Sequence, residues 1–156
     1  MRYLRFIGVF CLIVLLDQWT KALVLERIPA GTYIAPIPVI KPCLYLVHIY
    51  NTGAAWGLFA GKNLWLILLA CIALIGIFVC RKSLFLHEKW MQYAFGLFCG
   101  GVFGNLIDRV QHNHVIDFVD FHIVNYRWPA FNIADMAICI GAILYFFLSI
   151  NYSKHS

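Results

Sequence analysis

The sequence predicts a membrane all-α fold: four transmembrane helices, a small extracytoplasmic β-sheet and an interfacial loop or short helix, within one integral membrane domain over residues 1–156. Three observations predict it. Of the residues, 63% are apolar and 12% charged, with a mean hydropathy of +0.81, whereas soluble domains carry about a quarter charged residues. Four apolar stretches, near 4–25, 63–80, 90–107 and 129–151, approach the roughly 20 residues that a helix rising about 1.5 Å per residue needs to cross a bilayer. The outer segments left between them, 26–62 and 108–128, are long, rich in aromatics, and free of repeats or low-complexity tracts.

The first stretch begins like a secretory signal, with basic Met1–Arg5 and an apolar core over Phe6–Leu16. No small-residue cleavage site follows, and the helical pattern runs on through Asp17, Gln18 and Lys21, so it is a retained span. Asp17 and Lys21 are four apart, stacked on one helix face with Thr20 beside them, where they can neutralise each other while Gln18 reaches a neighbouring helix. In the outer segment that follows, Pro29, Pro36, Pro38 and Pro42 exclude a long helix, and Leu44–Tyr50, rich in branched and aromatic residues, predicts the sheet. Next comes NTGAAWG, Asn51–Gly57. It reads as a turn entering a helix or as a substrate-facing backbone rim, in which Gly53 permits close approach and Asn51 offers both donor and acceptor.

The third span contains GLFCGGVFGNLIDR, where Gly96, Gly100 and Gly104 form a smooth strip for close helix approach. Asn105, Asp108 and Arg109 extend that face outward, and Asp108, with a cation next to it in sequence, reads as part of a scaffolding salt bridge. The fourth opens with WPAFNIAD, in which Pro129 suits a first helical turn and Asn132 and Asp135 share a face. A helix starting near Pro129 puts Asp135 about 9 Å along it. Asp135 has no Lys or Arg at three or four residues, so its partner comes from elsewhere in the fold. Burial raises a carboxyl pKa and a second acid nearby raises it further, so that two acids share one proton. The preceding VIDFVDF offers Asp117 and Asp120, between which spacing does not choose; two solvated loop carboxylates are the competing reading.

Orientation follows from Arg2, Arg5, Arg81, Lys82, Lys89 and Lys154, which crowd three short segments and mark that side, with both termini, as cytoplasmic. Arg27, Lys41, Lys62, Arg109 and Arg127 are spread over the two longer outer segments.

The remaining composition serves mainly to exclude. A net charge of +5 builds no basic face, because Lys and Arg are scattered between apolar runs, so no nucleic acid is expected. Cys11, Cys71, Cys80, Cys99 and Cys139 lie in apolar stretches and Cys43 alone outside them, so no disulfide framework is expected. Ser83, Ser149, Ser153 and Ser156 fall at or beyond the cytoplasmic span ends, without a nucleophile-elbow pattern, and nothing orients Cys43 with His48. His112, His114, Asp117, Asp120 and His122 crowd one outer segment, yet fit no metalloprotease helix motif, so neither metal nor cofactor is expected. A small proton- or cation-coupled transporter is the alternative class, since intramembrane acids also mark ion pathways. Against it, the polar residues gather toward the outer ends of the spans. A scaffold held by the glycine strip leaves Asp117 and Asp135 without a purpose.

Taken together, DQWTK at Asp17–Lys21, NTGAAW at Asn51–Trp56, GGVFGNLIDR at Gly100–Arg109, VIDF at Val115–Phe118 and FNIAD at Phe131–Asp135 resemble the lipoprotein signal peptidases, or signal peptidase II, in the family's order and over nearly the whole chain. The resemblance implies an aspartic endopeptidase of the bacterial inner membrane, active at its periplasmic side on prolipoproteins whose lipobox cysteine carries a diacylglyceryl group, cutting just before that cysteine. It implies Asp117 and Asp135 as the catalytic pair, with Asp17, Lys21, Asn51, Gly53, Asn105, Asp108, Arg109 and Asn132 supporting the site and contacting substrate. Membrane lipid and globomycin-like cyclic peptide inhibitors are the further partners implied, and a monomer is expected. Met136 departs from the pattern, standing where relatives often have a small hydroxyl residue.

Overall fold

The computed structural model describes residues 3–37, 39, 43–123 and 126–153. Met1, Arg2, Pro38, Lys41, Pro42, Lys154 and Ser156, used above, lie outside the described residues. Four helices, α1 (Leu4–Arg27), α2 (Asn63–Val79), α3 (Lys89–His112) and α4 (Ile133–Ser153), are joined by a sheet of β1 (Tyr33–Ile34), β2 (Leu44–Asn51), β3 (Val115–Ile123) and β4 (Tyr126–Arg127). The strands pair antiparallel in chain order. The Leu44–Tyr50 run is thus the second strand of the expected sheet.

Three boundaries differ from expectation, each for a local reason. Helix α3 continues beyond residue 107 to His112, so Asp108 and Arg109 are helical; it stops at Asn113, which takes a left-handed φ of 63° while its N–H donates to Arg109 O. Residues 115–123, expected as an interfacial loop or short helix, form β3. Val115 to Phe118 and Asp120 are all buried, so both faces are covered and the strand shows no polar alternation. Helix α4 starts at Ile133 rather than Pro129. Phe131 is held extended against β3, donating to Val119 O at 3.0 Å and accepting from the N–H groups of Phe118 and Val119 at 3.1 and 2.9 Å. Asp135 therefore lies in the first turn of α4.

Helix α3 is the centre of the bundle because its glycines let two neighbours in. A Cβ on Gly96 would lie 2.8 Å from Val9 Cβ, one on Gly100 3.0 Å from Ile13 Cβ, and one on Gly104 2.6 Å from an Asp17 carboxylate oxygen, so α1 packs directly on the strip. On its other side α4 comes as close, with Ala134 O against Gly101 and Gly141 against the backbone of Ala94 and Phe98. Val24, Ile28, Ile116 and Phe118 fasten the sheet to one end of α1, while Leu86, Met91 and Phe95 form a core at the other end of the bundle.

Helix α1 and residues 133–150 of α4 are long and apolar enough to cross a membrane, and only 17% of each apolar window is buried. A core helix of a soluble domain hides such a surface; here Leu12, Leu15, Ile72, Phe78, Ile143 and Phe147 point outward.

Candidate active site

The site is built on a buried ion triad. Lys21 Nζ lies 2.8 Å from Asp17 Oδ2 and 2.8 Å from Asp108 Oδ2, and donates to Asn105 Oδ1 at 3.0 Å, which gives each of its protons a partner. The Asp17–Lys21 pair within α1 is the one expected from their spacing. The cation of Asp108 is Lys21 on the facing helix, not the adjacent Arg109. The other carboxylate oxygen of Asp17 accepts from the N–H of Ala134 at 2.9 Å, at the N-terminus of α4 where the helix favours negative charge. Asp108 accepts from the Ile116 N–H at 3.1 Å and from Gln18 Nε2 at 2.9 Å. All three charged residues are at most 2% exposed, and together they hold α1, α3, α4 and β3 in register.

Asp135 and Asn132 cap α4 reciprocally. The Asp135 N–H donates to Asn132 Oδ1 at 2.9 Å and Asp135 Oδ2 accepts the Asn132 N–H at 3.1 Å, a capping box with aspartate in the acidic position. The partner that Asp135 finds elsewhere in the fold is an amide: Asn105 Nδ2 donates to its Oδ1 at 2.8 Å. Asp117, on β3, is held in the same way. Asn132 Nδ2 donates to its Oδ1 at 2.8 Å and Asn51 Nδ2 to its Oδ2 at 2.9 Å. Asn132 thus touches both acids. Burial, and then the negative charge of Asp135, push the Asp117 carboxyl up to about 7; the amides of Asn51 and Asn132 and the charge of Lys21 oppose the rise.

Asp120 is differently placed. Arg127 clasps it with Nε at 3.0 Å and Nη2 at 2.9 Å, and His122 Nε2 lies 3.1 Å away. The same guanidinium donates to the Tyr33 hydroxyl at 2.7 Å, so the Asp120–Arg127 pair links β3 and β4 to β1 across the sheet. Of the two acids that spacing left open, the structure brings Asp117 to Asp135 and gives Asp120 a cation. His114 lies against Tyr50 with ring centroids 4.3 Å apart, and His112 against His114 at 5.9 Å, while His122 pairs with Asp120. Among the described residues no three His, Cys, Asp or Glu side chains converge as metal ligands.

The segment after β2 is drawn over the site. Asn51 Oδ1 accepts the Gly53 N–H at 2.9 Å, and Arg109 donates to Gly53 O at 3.0 Å and to Asn105 O at 3.3 Å. A Cβ on Gly53 would lie 2.9 Å from Leu58 O, so the position needs glycine. Between this segment and the helices lies a cavity of about 1030 Å³. Asn51, Gly53, Asn105, Arg109, Asp117 and Asp135 line its polar end, and Ala70, Ala73, Val102, Cys139 and Ile140 continue it as an apolar channel along α2, α3 and α4. Trp56 and Trp128 stand at it with rings 6.0 Å apart, edge to face. Those two were not singled out from the sequence; tryptophan at the end of an apolar span is the signal that marks them. Asp17, Lys21, Asp108 and Asn132 sit behind the wall and act on it through hydrogen bonds.

Residues 9–151 match the family model described as Signal peptidase (SPase) II. This chain belongs to the signal peptidase II family. It is 39% identical over 150 residues to the lipoprotein signal peptidase of Nitratidesulfovibrio vulgaris (strain DP4), covering 94% of this chain and 89% of that protein. It is also 39% identical to the lipoprotein signal peptidase of Bacillus subtilis (strain 168), covering 86% of each. A bacterial membrane enzyme solved by the in meso method at 2.3 Å superposes with a TM-score of 0.84 at 32% identity, covering 97% of this chain and 90% of that one. A second, at 1.9 Å, gives 0.79 at 33% identity over 92% and 90%. The signal peptidase II motifs of this chain fall on five separate elements, α1, the turn after β2, α3, β3 and the start of α4; the last four line one cavity, and the α1 motif sits behind its wall.

Proposed function

We propose that this signal peptidase II removes the signal peptide from diacylglyceryl-modified bacterial prolipoproteins, cutting before the lipidated cysteine, with Asp117 and Asp135 as an aspartic dyad. A single observation carries the dyad: two carboxyl groups, Asp117 buried and Asp135 half-buried, at the polar end of one cavity, joined through Asn132 and held by amides rather than by ion pairs. An amide is attacked by water only slowly, and a pair of acids sharing one proton overcomes this by taking a proton from the water while donating one to the developing oxyanion. Such a pair titrates as a unit.

The apolar continuation of the cavity along Ala70, Ala73, Val102 and Ile140 suits acyl chains, and each buried CH₂ contributes about 0.8 kcal/mol to anchoring. The chain acts as one domain with all four helices crossing the bacterial inner membrane. Both termini are cytoplasmic and the dyad lies toward the periplasmic leaflet. It works as a monomer without a cofactor, among membrane lipids, and globomycin-like cyclic peptides bind at the same cavity. The transporter alternative finds no support in the family or in the clustering of polar side chains at one end of the bundle.

The test uses purified protein in lipid vesicles with one precursor, prepared with and without its diacylglyceryl group. We expect a single cut immediately before the modified cysteine, and a much lower kcat/KM for the bare precursor. Equal cleavage of both forms, or a cut elsewhere, contradicts the assignment.

A further inference from the structure

The two acids are not held alike. The amides that serve Asp117 are backed by neutral groups: Asn51 Oδ1 accepts the Gly53 N–H and Asn132 Oδ1 the Asp135 N–H. The amide that serves Asp135 is backed by a charge, since Asn105 Oδ1 accepts from Lys21 Nζ at 3.0 Å while its Nδ2 donates to Asp135 at 2.8 Å. A cation on the carbonyl end of an amide polarises its N–H toward stronger donation. Lys21 already has two carboxylates at 2.8 Å, so its contact with Asn105 is more than neutralisation requires. Asp135 also takes the Asn132 backbone N–H at the N-terminus of α4, where an anion is favoured. The charged groups around it are Lys21 and Asp17 from α1, Asp108 and Arg109 from α3, and Asp117 from β3; the α2 residues lining the cavity, Ala70 and Ala73, are apolar.

We propose that Lys21, acting through Asn105, is a positioning residue that keeps Asp135 the ionised member of the dyad and leaves the shared proton on Asp117. The inference rests on the dyad reading and assigns its roles. A water O–H proton passes to Asp135 as the oxygen bonds to the scissile carbon, and the carbonyl oxygen takes the Asp117 proton, giving a gem-diol. The C–N bond then breaks as the amine receives the proton held by Asp135, and a diol hydroxyl returns one to Asp117.

The test is kcat/KM against pH for a lipidated precursor, in the wild type, Asn105→Ala, Lys21→Met and Lys21→Arg. The acidic limb reports protonation of the base. Asn105→Ala is expected to move that limb up by about one pH unit, the scale of one charge-assisted hydrogen bond, and to leave the alkaline limb in place. Lys21→Met moves the acidic limb the same way and Lys21→Arg returns it toward the wild type. Rates are taken per folded enzyme at each pH, so poor yield of one variant leaves the comparison of limb positions intact. A profile lowered uniformly with fixed limbs overturns the proposal, as does movement of the alkaline limb alone in Asn105→Ala, which would put the proton on Asp135. If Asp117→Asn and Asp135→Asn are both inactive while the limbs stay fixed, the dyad stands and the relay falls. If either Asn variant cleaves normally, both fall.

Discussion

The side-chain amide of Asn132 donates to Oδ1 of Asp117 across 2.8 Å, joining the start of α4 to β3. Its other end caps α4 by accepting the Asp135 N–H. Serine caps a helix about as well as asparagine, within about 0.5 kcal/mol, but its side chain is too short to reach Asp117 as well. Asn132→Ser is expected to keep Tm close to the wild type while cleavage drops by on the order of tenfold, the scale of one lost hydrogen bond. Tm and kcat measured on the same preparation check this; parallel loss of both would make Asn132 only a cap.

Asp117 links stability to pH. Its carboxyl, raised from an ordinary 3.8 to about 7, holds a proton in the folded state at pH values where the unfolded chain has lost it. Its contribution to stability is therefore fully present below the ordinary value, falls as pH rises between about 4 and 7, and is flat above that. Asp117→Asn removes this dependence. Thermal unfolding in detergent should show the variant gaining on the wild type across that window, by an amount on the order of a few kcal/mol. A variant that loses stability relative to the wild type as pH rises through this window contradicts the assignment.

The glycines of α3 differ in what surrounds them. A Cβ at Gly101 would strike the Ala134 carbonyl, whereas one at Gly8 meets nothing within 4 Å. Gly101→Ala should cost about 1–3 kcal/mol, the usual range for overpacking, and displace the first turn of α4 with Asp135. Gly8→Ala should leave Tm and cleavage unchanged. Equal behaviour of the two variants would mean that α4 does not press on α3 at this point.

Much of this architecture is legible in the sequence because a bilayer demands it. The apolar stretches near 4–25 and 63–80 become α1 and α2 almost residue for residue, and the strip Gly96–Gly100–Gly104 does receive a neighbouring helix. The Asp17–Lys21 pair needs only one helix to form. What stays hidden depends on contacts across the fold. Lys21 reaches Asp108 from another helix, and Arg109, adjacent to Asp108 in sequence, turns instead to Gly53 O. The strand β3 is disguised because both of its faces are covered, and the start of α4 is set by the pairing of Phe131 with Val119, which overrides the helix-starting preference of Pro129. The choice between Asp117 and Asp120 turns on Arg127, seven residues beyond Asp120 and brought to it by the β3–β4 pairing.

The most direct measurement is cleavage of a lipidated precursor by Asp117→Asn and Asp135→Asn in lipid vesicles, beside Asp120→Asn as the control elsewhere in the sheet. No detectable cleavage is expected from the first two, with their elution and Tm showing a folded protein, and retained cleavage from the third with a lowered Tm. Normal turnover by either of the first two, or loss of turnover confined to Asp120→Asn, would contradict the dyad.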